Sequence, residues 1–197
     1  MESELRKHLG KLTSSSLYID VGTYDGEYLD IINNASHCNI ICFEPIEKNI
    51  NVLKQKYNNQ SNIRIIDAAL SDENTTTYIQ MWRNIKQTGS TIMYDKVEPT
   101  EYDYETIKVV DVKDFMNEIE HVDIMKINIE GAEYKVLPRM IENNFFNRID
   151  LMIIQFHKDH DPDWKKRDNI QLELNKTHDM VFYRDYGGGD WEFWLKK

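Results

Sequence analysis

Four carboxylates and one imidazole, those of Asp20, Glu44, Asp67, Glu130 and His157, each fall at or just past the end of a short apolar run. An imidazole, with an ordinary pKa near ~6.5, can accept a proton at physiological pH. A carboxylate beside it, such as Glu130, would stabilise the cation so formed and raise its pKa somewhat. The turn after Asp20 is Gly22-Thr23-Tyr24-Asp25-Gly26, and its two glycines let the backbone turn sharply and approach a ligand. The spacing lacks the third glycine of the fingerprint that carries a pyrophosphate, so a single nucleoside is expected rather than a dinucleotide. An acid ending that strand suits a ligand with an amino group and ribose hydroxyls. Glu44, 24 residues after Asp20, is spaced to accept both hydroxyls of a ribose.

These groups need a scaffold that gathers strand ends. Leu17–Val21, Asn39–Phe43 and Ile63–Ile66 read as buried strands. Between them, Tyr28, Ile31, Ile32 and Ala35, and then Ile46, Ile50, Leu53 and Tyr57, repeat at helical spacing. Asp25 is placed to cap the first of these helices. The order βαβαβ implies a parallel, doubly wound half-sheet with right-handed crossovers. Asp123–Ile129 and Ile149–Phe156 read as further interior strands, separated by a helix that uses Val136, Leu137, Met140, Ile141 and Phe145. Pro138 predicts a kink or restart in that helix. A helix near 164–177 and a closing hairpin, Met180–Arg184 with Trp191–Leu195, complete the chain. The triple glycine 187–189 is a turn, because no helix follows it. Residues 1–16 read as a helical arm with Leu5, Leu9 and Leu12 on one side, and 17–197 as one domain.

The middle of the chain has a different character. Residues 75–82 and 106–112 read as strands, while 83–105 reads as a long loop with Gly89, Ser90 and Thr91 and several tyrosines. A loop of that length in a compact domain is commonly functional, and this one is expected to cover a bound acceptor. Trp82, Arg83, Ser90, Thr91, Tyr94 and Tyr102 supply aromatic faces and hydroxyls suited to a carbohydrate ring. The run KDHDPD carries ligand-type residues, with His157, Asp159, His160, Asp161 and Asp163 close together, but its composition is that of a solvated loop, and no metal is assigned to it.

A formal net charge of −10 and no basic stripe argue against a nucleic-acid partner, which would call for clustered Lys and Arg. Cys38 and Cys42 lie on one strand and its approach, where a mutual bridge is geometrically unfavourable, so reduced thiols in a cytoplasmic setting are expected. The first 16 residues have no apolar secretory core, and no run reaches membrane-spanning length. The sequence does not define an oligomeric state.

The combination YIDVGTYDG, ICFEP, IIDAALSD and KINIEGAEYKVL, ordered from Leu17 to His157, resembles the FkbM family of S-adenosylmethionine-dependent methyltransferases. The resemblance implies a Rossmann-like α/β fold with a seven-stranded, mostly parallel sheet whose last strand is antiparallel. It implies methyl transfer from S-adenosyl-L-methionine to a hydroxyl of a sugar or glycan. Carried over by position, Asp20, Gly22, Thr23 and Gly26 would line the methionine and ribose part of the cofactor, Glu44 the ribose hydroxyls, and Asp67 with Ala68 the adenine. Glu130, Gly131 and Glu133 would lie beside the transfer site, Glu133 on the substrate side, with His157 as first candidate general base and Glu130 as second. Asn128 and Gln155 stand where the family commonly has acids. Their lost charge raises a competing reading, a cofactor-binding module without turnover; a nicotinamide oxidoreductase is a more distant one.

Overall fold

A computed structural model describes residues 2–82, 90–93, 102–162, 164–187 and 189–197. The apolar runs read above become the strands of a seven-stranded sheet: β1 (Leu17–Val21), β2 (Asn39–Phe43), β3 (Ile63–Ile66), β8 (Val122–Ile127), β9 (Ile149–His157), β10 (His178–Asp185) and β11 (Gly189–Lys196). Their spatial order is β3-β2-β1-β8-β9-β11-β10. The first five pair in parallel, and β11 runs antiparallel to both of its neighbours. The closing hairpin is therefore present as expected.

Side chains on a strand alternate between faces, so each strand feeds two cores. On one face Ile19, Val21, Met125, Ile127, Met152 and Ile154 pack with α5 (Glu133–Glu142) and α6 (Lys165–Leu174). On the other, Tyr18, Ile40, Ile124 and Ile153 pack with α1 (Glu2–Leu9), α2 (Glu27–Ser36) and α3 (Glu47–Lys56). Leu5 and Leu9 of α1 are buried there, so the N-terminal arm is part of the core packing. The N-cap position of α2 is Gly26 rather than the expected Asp25, which stands one residue earlier and accepts a hydrogen bond from Glu27 N–H through Oδ1 at 3.2 Å. Among the described residues no helix is long and apolar enough to cross a membrane.

Three expectations need correction. Residues 83–105 are not one loop. Ser90–Met93 is a strand (β6), and the following strand, β7, begins at Tyr102 and runs to Asp111. With β4 (Ala69–Ser71) and β5 (Thr75–Trp82) they form a second sheet of four strands, ordered β4-β7-β5-β6. Its inward face is a small core of Ala69, Ile79, Ile107 and Val109, and its other face, with Thr76, Tyr78, Thr106 and Lys108, is exposed. The strands expected at 75–82 and 106–112 are present as β5 and the second half of β7. Residues 83–89 and 94–101, and so Arg83 and Tyr94, lie outside the described residues. Between β7 and β8, where no helix was read, Val112–Asn117 forms the short α4, capped by the Asp111 carboxylate. Pro138 neither restarts nor ends α5, which runs unbroken from Glu133 to Glu142. At the sixth position of the helix a proline removes one N–H bond, a cost that the burial of Val136, Leu137 and Met140 offsets.

A buried ion pair holds the centre of the sheet. Asp20 and Lys126 are direct register partners across β1 and β8, and Lys126 Nζ donates to Asp20 Oδ1 at 2.7 Å and to the Gly22 carbonyl at 3.1 Å. Their side chains are 1% and 3% exposed, and the ammonium lies 5.1 Å from the centre of the Tyr28 ring on α2. Breaking such a pair leaves one buried charge without its counter-ion. Lys126→Met should therefore lower unfolding free energy by about 3–5 kcal/mol, and Asp20→Leu added to it should recover most of that loss. Urea-induced unfolding of the three proteins is the check. A Lys126→Met loss within about 1 kcal/mol would contradict the pairing.

Candidate active site at the carboxyl edge

The parallel strands end together, and their ends are tied. Asn128 N–H donates to the Val21 carbonyl at 2.9 Å, Gly22 N–H to that of Phe43 at 3.1 Å, and Glu44 N–H to that of Ile66 at 3.2 Å. Gly22 takes φ +84°, and a Cβ there would lie 1.9 Å from the Asn128 carbonyl oxygen, so only glycine lets the turn pass this close to the loop after β8. The fold thus brings Asp20, Gly22, Thr23, Gly26, Glu44, Asp67, Ala68, Glu130 and His157 to one edge of the sheet.

Their individual settings differ from the expectations. Asp20 is fully buried and faces Lys126, so its carboxylate is an internal counter-ion; burial pushes its pKa up and Lys126 pulls it back only in part. Asp20 and Tyr18, on the same strand face, are both buried, and the Tyr18 hydroxyl beside the carboxylate helps to hold its charge. Thr23 is buried and donates to the Asp20 carbonyl at 3.3 Å. Glu44 is 3% exposed. Its Oε2 accepts from Tyr24 N–H at 2.8 Å, and its Oε1 from Ile46 N–H and Asn49 Nδ2, each at 3.1 Å. Burial raises its pKa against those three donors. A carboxylate has about four acceptor positions, which leaves room for one more donor rather than two. Asp67 is exposed, with Lys54 Nζ at 4.0 Å, and Ala68 beside it is buried. Among the described residues, Asn128 Oδ1 is a buried acceptor with no hydrogen-bond partner.

The residues from Glu130 to Glu133 form a clamp on His157. Glu130 stands in the left-handed region at φ +51°, uncommon for a residue with a Cβ and a form of strain that collects at functional sites. Its Oε2 lies 3.3 Å from His157 Nε2. Glu133 Oε1 accepts from the His157 backbone N–H at 2.9 Å and meets His157 Nδ1 at 3.0 Å, while Oε2 accepts from Gly131 N–H at 2.8 Å. Glu133 is fully buried with both oxygens engaged by protein, so the expected substrate contact is not available to it. Burial alone would lower the His157 pKa, but the two carboxylates outweigh it and raise the ring to about 10. The histidine is an imidazolium at neutral pH, and the neutral base expected from the sequence is not its resting form.

The reach of the other expected residues is mixed. Trp82, Ser90 and Thr91 sit at the far end of the second sheet, where Gln80 pairs with Thr91 and Met81 with Ser90. Asp161, from the run read as a solvated loop, caps α6 by accepting from Lys166 and Arg167 N–H at 2.8 and 3.0 Å. Gln155 lies against Gly189, where a Cβ would meet its Nε2 at 2.8 Å. Sequence reasoning missed Lys126, although a lone cation inside the apolar run DIMKINI signals a buried partner. It also missed the network in which Arg167, Gln171 and Trp194 all hydrogen-bond the buried Glu192. A cavity of about 290 Å³, lined in part by His8, Lys11, Asp123, Asp150 and Lys196, opens at the opposite, amino edge, away from these groups.

The strand order, the glycine turn after β1 and the acidic cluster at the carboxyl edge define a Rossmann-like methyltransferase. A model of the protein family described as "Methyltransferase FkbM domain" matches residues 20–190, and the chain belongs to that family. A Streptococcus mutans protein classed among the methyltransferases and solved in complex with SAH superposes with TM-score 0.58 at 12% identity, over 100% of this chain and 98% of its own. An rRNA methylase from Streptococcus thermophilus gives TM-score 0.58 at 9% identity over 98% and 94%, and the METTL16 MTase domain 0.54 at 13% over 98% and 65%. At such identities they speak for the fold. No curated protein matches the sequence.

The clamp has a thermodynamic signature. The folded pKa of His157 lies above its unfolded value of 6.5, so its stabilisation is complete below pH 6.5 and is lost as pH rises through about 10. Unfolding free energy measured from pH 6 to 10 should fall more steeply in the wild type than in His157→Asn. Parallel curves for the two proteins would contradict the clamp.

Proposed function

We propose that this chain transfers a methyl group from S-adenosyl-L-methionine to a hydroxyl of a sugar or glycan. The observation that carries the reading is the Glu130–His157–Glu133 clamp, which fixes a carboxylate at the carboxyl edge beside the glycine turn of β1. The residues present suit the cofactor. Asn128 Oδ1, an orphaned acceptor, fits its amino group; Glu44 has one acceptor position left for a ribose hydroxyl; the Gly22–Tyr24 turn and Ala68 offer backbone and an apolar edge. When bound, the sulfonium supplies an already activated methyl carbon, so alignment of the acceptor oxygen is most of what the protein must provide.

Glu130 is the catalytic residue of this reading. Its carboxylate is 29% exposed and can accept a hydrogen bond from the acceptor hydroxyl, which aims an oxygen lone pair toward the methyl donor. His157, charged and doubly held, is a positioning residue that keeps Glu130 in place. The net charge of −10 supports a neutral acceptor such as a sugar over a polyanion.

The test is incubation with isotopically labelled S-adenosyl-L-methionine and a panel of sugars, glycans and structured RNAs, read by mass spectrometry. Label on a sugar oxygen is the expected result. Label confined to RNA overturns the acceptor class, and SAH binding with no transfer to any member favours the binding module without turnover. In calorimetry with SAH, Glu44→Ala should lose about 1.5–3 kcal/mol of affinity. Unchanged affinity in a folded variant would remove Glu44 from the site.

A further inference from the structure

Removal of the acceptor's proton is unaccounted for by the clamp. His157 already carries its proton on a ring held by two carboxylates, and the Glu130 carboxylate lies against that same ring. Tyr134 donates its hydroxyl to the His157 carbonyl at 3.2 Å, and burial raises its pKa well above the ordinary phenol range. Asp161 is buried and occupied as the cap of α6. Among the described residues, the imidazole that follows on the same turn, that of His160, is engaged by no carboxylate and caps no helix.

His160 is placed by the fold. The chain leaves β9 at His157 and makes a single 3-10 turn, Lys158–His160, which lays the His160 ring on the loop after β8. A Cβ built on Gly131 would lie 2.4 Å from Cγ and Cδ2 of that ring and 2.6 Å from Nδ1. Only a glycine at 131, here at φ +104°, leaves room for the ring against the backbone that follows Glu130. The residue is exposed, in contrast to the buried His157. Among the described residues Lys166 from α6 meets it, Nζ donating to the His160 carbonyl at 3.4 Å, Asp159 and Asp161 are its chain neighbours, and Glu130 directly precedes the Gly131 backbone on which the ring lies.

We propose that His160 is a second catalytic residue, the group that takes the proton from the acceptor hydroxyl while Glu130 orients it; this rests on the O-methyl transfer reading above. In balance, the acceptor oxygen gains the methyl carbon and releases its proton to a His160 ring nitrogen. The electron pair of the broken carbon–sulfur bond stays on sulfur, and the imidazolium returns its proton to solvent. The glycine at 131 is then explained as the space that lets the base approach.

The test compares wild type, His160→Gln and His160→Ala with the acceptor found in the labelled panel. Turnover should fall about 10²- to 10⁴-fold in both variants, with SAH affinity by calorimetry unchanged. The wild-type rate should show an acidic limb that His160→Gln lacks, and added imidazole should restore part of the His160→Ala rate. A readout independent of turnover is the His160 ring carbon-proton resonance, which SAH should shift in the wild type while leaving His121, at the amino edge, unmoved. Near-normal turnover in His160→Gln, or an unmoved His160 resonance, overturns the role of His160 and leaves the methyl-transfer reading standing. Absence of transfer to every acceptor by the wild type overturns both.

Discussion

An ammonium group inside a sheet is tolerable only with a counter-charge and full hydrogen bonding, and the Asp20–Lys126 pair meets both conditions. Everything at the carboxyl edge follows from it. Because Lys126 bonds both the Asp20 carboxylate and the Gly22 carbonyl, the register of β1 on β8 and the path of the glycine turn are set together. That registration presses Gly22 against the backbone of Asn128, where a side chain at 22 would collide. Glu130 follows two residues later, so the nucleoside end and the transfer end of the crevice are joined by one short piece of backbone.

The same device recurs outward from the centre. Glu133 is consumed by His157 and Gly131, and Glu192 by Arg167, Gln171 and Trp194. Each is a fully buried acid whose oxygens are spent inside the protein. The sequence is acid-rich, yet most of the acids at this edge serve to fix other residues. Glu44 has one acceptor position left for a ligand and the Glu130 carboxylate is 29% exposed, and they stand on either side of the β1 turn. Such preorganisation suits a reaction whose donor is already activated and whose chief requirement is alignment.

Strands β1, β2, β3, β8 and β9 were legible because interior parallel strands are continuous apolar runs, and α2 and α3 because their apolar residues recur at helical spacing. In the second sheet β5 and the second half of β7 were legible too, but β4 and β6, three and four residues long, were too short to read as strands. Within the site, the strand-end positions of Glu44, Glu130 and His157 followed from spacing. Their charge states did not. Glu133 opens a helix in the sequence, and only folding sets its carboxylate beneath the His157 ring, turning an expected base into a cation. Asp20 read as a ligand contact for the related reason that its partner lies 106 residues further along the chain.

The claim on which this account turns is that His157 is a fixed imidazolium that holds Glu130, and the most direct measurement is nitrogen-15 NMR of the histidine ring at pH 7. Both His157 ring nitrogens should give shifts of the protonated form, unchanged from pH 6 to 8, with slowly exchanging ring protons coupled to Glu130 and Glu133. One protonated and one bare nitrogen at pH 7, titrating as an ordinary histidine, would contradict it.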